Sequence, residues 1–208
     1  MKTLVLTGLL VCLVSGAAGQ PASSLSFRAG ISVPILCYGR HDLSKNSFAG
    51  FARPGFQLAV GYAYRLGTNF AVATQAFLMQ HPTQSRYLDA GTRQHYRVMG
   101  LLAGPRLMTK DHAASQFDFQ FLAGVARAVS PRLEQNNKVL LNRHGSTAFS
   151  WSASAGFRHN LSNRSFITLR AEHTQLTPGF DQHSPEEALK GQQHIVVMNV
   201  DAGIGIKF

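Results

Sequence analysis

Apolar residues recur at every second position over segments of about ten residues, again and again along this chain. A strand whose two faces meet different environments produces this pattern, and no segment shows a helical 3.6-residue period over a useful length. In segment 24–35, Leu25, Phe27, Ala29, Ile31, Val33 and Ile35 oppose Ser24, Ser26, Arg28, Gly30, Ser32 and Pro34. In segment 56–66, Phe56, Leu58, Val60, Tyr62, Tyr64 and Leu66 oppose Gln57, Ala59, Gly61, Ala63 and Arg65. Segments 117–128, 149–161, 166–175 and 195–208 alternate as clearly. Segment 70–80 is weaker, with Phe70, Val72, Thr74, Ala76 and Leu78 on one face. Segment 95–108 is apolar on both faces, so its orientation stays open. Eight strands are predicted.

The second face decides what kind of β-protein this is, because a soluble sandwich also alternates. Opposite the apolar face lie Gly, Ala, Ser and isolated charges, which suit the tight interior of a narrow barrel. The connections alternate in length. Those at 67–69 and 162–165 are short and that at 109–116 is moderate, whereas 37–54, 82–94, 131–147 and 177–193 are long. Short turns on one side and long loops on the other are the pattern of a membrane-spanning up-and-down barrel, with both ends on the short-turn side. The stretch from Pro178 to Gln193 reads either as plain loop or as loop with a short helix around Glu186 to Lys190. Phe27, Tyr62, Tyr64, Phe70, Phe117, Phe157, Phe166 and Phe208 fall near one predicted depth and read as an aromatic girdle.

Composition supports export and a membrane setting. Of 208 residues only 14% are charged while 45% are hydrophobic, yet the only continuous apolar run is N-terminal. Lys2, the apolar segment from Thr3 to Val14, and the small residues Ser15 to Gly19 read as a signal peptide cleaved before Gln20. This gives a signal peptide at 1–19 and a barrel domain at 20–208. The run is short of the roughly 20 residues that a spanning helix needs. Cys12 lies inside it and is not read as a lipoprotein cysteine. Past that segment the one cysteine is Cys37, so no internal disulfide can form.

The net charge is +10, but Lys and Arg are scattered rather than gathered on one patch, and export argues against a nucleic-acid partner. The long connections carry Arg40, Lys45, Arg53, Arg86, Arg93, Arg132, Lys138 and Arg143 with fewer acids. Arginine forks suit phosphate, and lipopolysaccharide in an outer leaflet would offer it. The nine histidines, among them His144, His183 and His194, do not fall at metal-ligand spacing, and no metal or cofactor is expected.

The closing run Val200-Asp201-Ala202-Gly203-Ile204-Gly205-Ile206-Lys207-Phe208 resembles the terminal strand signal of bacterial outer-membrane barrels. With phrases such as Gly61-Tyr62-Ala63-Tyr64-Arg65-Leu66, the body from about Leu25 to Phe208 is similar to the outer-membrane β-barrel domain families, the PorT-like group among them. The resemblance implies an all-β, up-and-down antiparallel transmembrane barrel of eight strands in the bacterial outer membrane. It implies that Val200, Ala202, Ile204, Ile206 and Phe208 form the signal read by the barrel-assembly machinery. It also implies, as one alternative, an accessory role in secretion or envelope assembly.

Parity places Arg28, Arg65, Asp118, Arg158, Arg170, Glu172 and Asp201 on the lumen face. A charge inside a narrow lumen is costly unless partnered, so an ionic network and a filled lumen without an open pore are expected. The role is then structural, adhesive or ligand-binding through the long loops, with the loop ligand left open, and the protein is read as no enzyme. A lipid A-modifying hydrolase is a further alternative, because Glu172-His173-Thr174-Gln175 loosely resembles the lipid A deacylase barrels. That family expects His-x-Ser-Asn, and Gln175 and Leu176 stand where its serine and asparagine would be.

Overall fold

A computed structural model of the chain describes residues 23–39, 52–83, 95–109, 114–131, 133–135, 138–141, 144–183 and 188–208. The region assigned to the signal peptide lies outside the described residues, as do Arg40, Lys45, Arg86, Arg93, Arg132 and Arg143.

Among the described residues twelve strands form: β1 (Ser23–Ile35), β2 (Gly55–Arg65), β3 (Phe70–Pro82), β4 (His95–Met108), β5 (Ser115–Val129), β6 (Leu133–Gln135), β7 (Lys138–Leu141), β8 (Gly145–Asn160), β9 (Ser165–Leu176), β10 (Gly179–His183), β11 (Ala188–Gln192) and β12 (Ile195–Lys207). Eight of them close an antiparallel barrel in the order β1-β12-β9-β8-β5-β4-β3-β2, while β6-β7 and β10-β11 are two-stranded ribbons within long connections. The barrel strands follow one another up and down around the wall. Strand β12 pairs with β1 from Ser24↔Lys207 to Ile35↔Val196 and shuts the seam. Closure leaves no edge, which is the condition for a sheet to sit in hydrocarbon. The eight predicted strands all occur within a few residues of their expected limits. Strand β11 takes Ala188 to Lys190, so the short-helix alternative there is wrong for those residues; Glu186 and Glu187 lie outside the described residues.

The short turns are built locally. Leu66 and Gly67 both donate their backbone N–H to the Phe70 carbonyl, at 3.0 and 3.2 Å. In the turn before β9 the Ser162 hydroxyl accepts from the backbone N–H groups of Arg164 and Ser165, at 3.2 and 3.0 Å. This is the local hydroxyl bonding that makes serine a turn former.

The outer surface is an apolar belt. Phe119 is 62% exposed, Ile204 65% and Leu101 60%, and the neighbouring outward positions on every barrel strand are comparable. In water such a band would be an aggregation surface, whereas against lipid it is the required solvent match. Phe27, Tyr64, Phe70, Phe117 and Phe208 project outward on the short-turn side, as expected of a girdle. Phe157 packs its ring 5.3 Å from that of Phe117. Phe166 is a correction. It is 1% exposed and points into the lumen, because the outward set of β9 is Ile167, Leu169 and Ala171 and an adjacent residue must face the other way. Its ring packs against Gly205, where any Cβ would collide with it. The Arg158 guanidinium sits 3.9 Å above the same ring.

The interior also departs from the simple expectation of a small, polar lumen. Its long-loop half is an apolar core of Phe77, Met79, Val98, Leu102, Leu122, Ile195 and Val197. A one-turn 3-10 helix, Leu36–Gly39, folds Tyr38 into the mouth above it. The Tyr38 ring meets His81 and Tyr96 edge-on, with centroids 5.3 and 5.2 Å apart. Burial pushes the Tyr38 phenol well above its usual range, so it stays neutral at physiological pH. This core explains why 95–108 looked apolar on both faces: Tyr96, Val98 and Leu102 face the core, while Met99, Leu101 and Leu107 face outward.

Leu101, at the centre of β4, provides a test of the belt. Leu101→Arg is expected to lower stability in liposomes by about 2–4 kcal/mol, the cost of an arginine at the bilayer midplane, measured by urea titration. An arginine is already present on the outer face of the same strand at Arg97, nearer the long-loop end.

Candidate functional site

Beneath the apolar core the lumen changes character. Alternation aims Arg28 from β1, Arg106 from β4, Asp118 from β5, Arg170 and Glu172 from β9, and Asp201 from β12 at one another across the barrel. All are buried, Asp118 at 1% and Arg170 at 3% exposure. Asp118 is held by two arginines: Arg106 donates to one carboxylate oxygen and Arg170 to the other, each at 2.6 Å. Arg170 also donates to the Ser154 hydroxyl at 2.7 Å. Arg28 donates to both Asp201 oxygens, at 3.3 and 3.4 Å.

Gln75 joins these pairs to Glu172. Its carbonyl oxygen accepts from Arg28 and, at 3.4 Å, from Gln120. Its amide donates to both Glu172 oxygens at 3.0 Å. Thr174 donates to Glu172 at 3.0 Å and accepts from Asn199 at 3.3 Å. Gln57 donates to Asp201 at 3.5 Å. Charge-assisted bonds of this kind are the strong ones, and the low-polarity core above them keeps them unscreened.

Of the seven lumen residues read from sequence, the structure brings Arg28, Asp118, Arg170, Glu172 and Asp201 into this layer. Arg158 lies one level lower, over Phe166. Arg65 is at the short-turn mouth, half-exposed, lining a small recess with Arg158 and Lys207. Both share the inward parity of the layer but sit nearer the short-turn end. The sequence reading missed Arg106, which shares Asp118, because it sits on the one strand whose orientation was undecided. It also missed Gln57, Gln75 and Gln120, whose lumen parity was visible but which carry no charge to attract notice.

Gly156 makes the layer possible. A Cβ there would come within 2.9 Å of an Asp118 oxygen and 2.8 Å of an Arg170 nitrogen, so only a glycine lets the pair lie against β8.

A smaller polar cluster sits near the long-loop mouth. The Ser32 hydroxyl lies 3.3 Å from His81 Nε2, and His81 Nδ1 lies 3.2 Å from the Arg53 carbonyl oxygen. Ser32 and His81 are both fully buried beneath Tyr38, and the cluster reads as a satisfied mouth closure. His173 projects from the outer wall with its ring 5.2 Å from Trp151. Among the described residues no group of three or more His, Cys, Asp or Glu is placed to hold a metal. Val200, Ala202, Ile204, Ile206 and Phe208 line the outer face of β12. Two cations also point outward near the long-loop ends of adjacent strands, Arg97 and Arg127. The Arg127 guanidinium reaches across to Gly145 on β8.

Removing the shared carboxylate is the sharpest test of the layer. Asp118→Asn leaves Arg106 and Arg170 facing each other without a counter-charge. It is expected to cost about 3–5 kcal/mol, as does breaking a buried pair from one side, read as a lower urea midpoint in liposomes.

No protein-family model and no curated protein sequence matches the chain. Solved structures do. Neisserial surface protein A aligns over 90% of this chain and 97% of its own, with a TM-score of 0.58 at 10% identity. The outer membrane protein OprG of Pseudomonas aeruginosa aligns over 91% and 98%, with a TM-score of 0.54 at 16% identity. Ail, the attachment invasion locus protein of Yersinia pestis, solved with the heparin analogue sucrose octasulfate, aligns over 89% and 99%, with a TM-score of 0.50 at 12% identity. At these identities the likeness is one of fold. The chain therefore has the architecture of the small, closed, eight-stranded transmembrane β-barrels.

Proposed function

We propose that this protein is a bacterial outer-membrane barrel with a filled lumen, working in a structural, adhesive or ligand-binding role through its long loops and outer rim. It is neither a pore nor an enzyme in this reading. It reaches the membrane through its signal peptide and the barrel-assembly machinery, with the outer face of β12 as the recognised strand.

One observation carries the proposal. The lumen is closed twice, by the apolar core under Tyr38 and by the ion-paired layer around Asp118 and Asp201. A solute crossing the barrel would have to displace both, so chemistry with outside partners falls to the rim and loops. Arg97 and Arg127 face outward where the wall approaches the long connections, which suits the phosphates of lipopolysaccharide. The basic loop residues extend the same preference toward polyanionic ligands. The deacylase alternative lacks support at the residues that suggested it: Gln175 stands in the nucleophile's place, and His173 packs on Trp151.

Two measurements test this. Outer-membrane fractions run unboiled and boiled should show a heat-modifiable band, as a detergent-resistant closed barrel does. Purified protein in planar bilayers should show no porin-scale conductance. Steady channels of that scale would overturn the filled-lumen reading, and a soluble periplasmic protein without a gel shift would overturn the membrane assignment.

A further inference from the structure

Below the ion-paired layer lies a small, largely enclosed cavity of about 20 Å3, with Arg28, Arg106, Arg158, Arg170, Gln120 and Thr168 among its walls. Among the described residues, four arginines line it and no carboxylate does. We propose that this cavity is a binding site for a single small monovalent anion of halide type.

The charge arrangement is the first argument. Asp118 is the one carboxylate that both Arg106 and Arg170 engage. Arginine stays protonated in proteins, so one negative charge is shared between two buried positive ones. The Arg28 carboxylate, Asp201, lies outside the cavity wall. Glu172 accepts from Gln75 and Thr174 and, like Asp201, stands off the cavity wall. Positive charge thus faces an enclosed space with hydroxyl and amide donors around it.

Hydrogen bonding is the second argument. The Nε–H donors of Arg106 and Arg170 are buried and have no hydrogen-bond partner among the described residues. Both side chains belong to the cavity wall. Buried donors are ordinarily satisfied, and an anion would satisfy them and offset the shared charge together. A water would do only the first.

Size and access define the ligand. The space is about 20 Å3, close to what a single water-sized body needs, which suits a monatomic anion better than phosphate or sulfate. A second recess, lined by Arg65 and Lys207, shares Ser24, Ala63 and Arg158 with the cavity and leads toward the short-turn mouth. An anion entering from that side is drawn past cations all the way. The route ends at the ion-paired layer, so occupancy is compatible with a barrel that does not conduct, and the inference is independent of what the loops bind.

The test uses the full barrel refolded in detergent and crystallised in bromide, with anomalous diffraction locating the ion. A peak in the cavity within hydrogen-bonding range of Arg106 and Arg170 is the expected result. In parallel, bromide is raised from 1 to 100 mM at constant ionic strength, with gluconate as the balancing anion. The unfolding equilibrium constant should fall, by up to about a hundredfold for one site. Gln120→Glu places a fixed carboxylate in the cavity wall and should abolish that dependence. A lumen without bromide, or wild-type stability indifferent to bromide, would overturn the proposal and leave water as the occupant. Should the variant fail to refold, the diffraction experiment on the wild-type protein still decides.

Discussion

The rest of this structure depends on one constraint: in hydrocarbon a backbone N–H or C=O has no water to turn to. A sheet meets that condition only by returning to its own first strand. The pairing of β12 with β1 does this, and the other choices follow. The wall has eight strands, so its interior is narrow enough to be filled by side chains alone. With lipid outside and side chains inside, every residue of the wall is assigned to one of two solvents by parity, which is why the alternation is so regular.

Two ways of filling the lumen are stacked here. Toward the long loops the interior resembles the core of a soluble protein, closed by Tyr38. Below it, charges from β1, β4, β5, β9 and β12 meet through Gln75 from β3. The apolar part is indifferent to which residue touches which, provided the volume is filled. The ionic part is not, because a guanidinium left without its carboxylate is far costlier than a small void. The polar layer therefore supplies much of the registration between distant strands, while the apolar core supplies burial.

The fold was legible because two-solvent alternation is a local signal, readable within ten residues, and because the turn lengths revealed which side was which. Sites were less legible, for reasons that differ by residue. Parity alone placed Arg28, Asp118, Arg170, Glu172 and Asp201 inside. Their pairing was not readable, since it depends on the register that sets Asp118 on β5 and Arg170 on β9 opposite Gly156 on β8. Arg106 was hidden by an apolar lumen half that erased the contrast between the faces of β4. Phe166 was misassigned because depth was weighed above parity, when the ring needed the bare backbone of Gly205 to lie against. The roles of Gln57, Gln75 and Gln120 carry no sequence signature apart from inward parity.

The seam has a consequence for how the barrel comes into being. Arg28 lies on the first strand of the wall and its carboxylate, Asp201, on the last. Until β12 arrives, a partly assembled wall would expose hydrogen-bonding edges and hold a cation with no counter-charge, so each added strand brings little reward before the final one. Sheet closure and charge neutralisation are completed in the same event. Intermediates short of that event are poorly stabilised, and the finished wall is hard to reopen at its seam, since parting β1 from β12 would break the ladder and the ion pair at once.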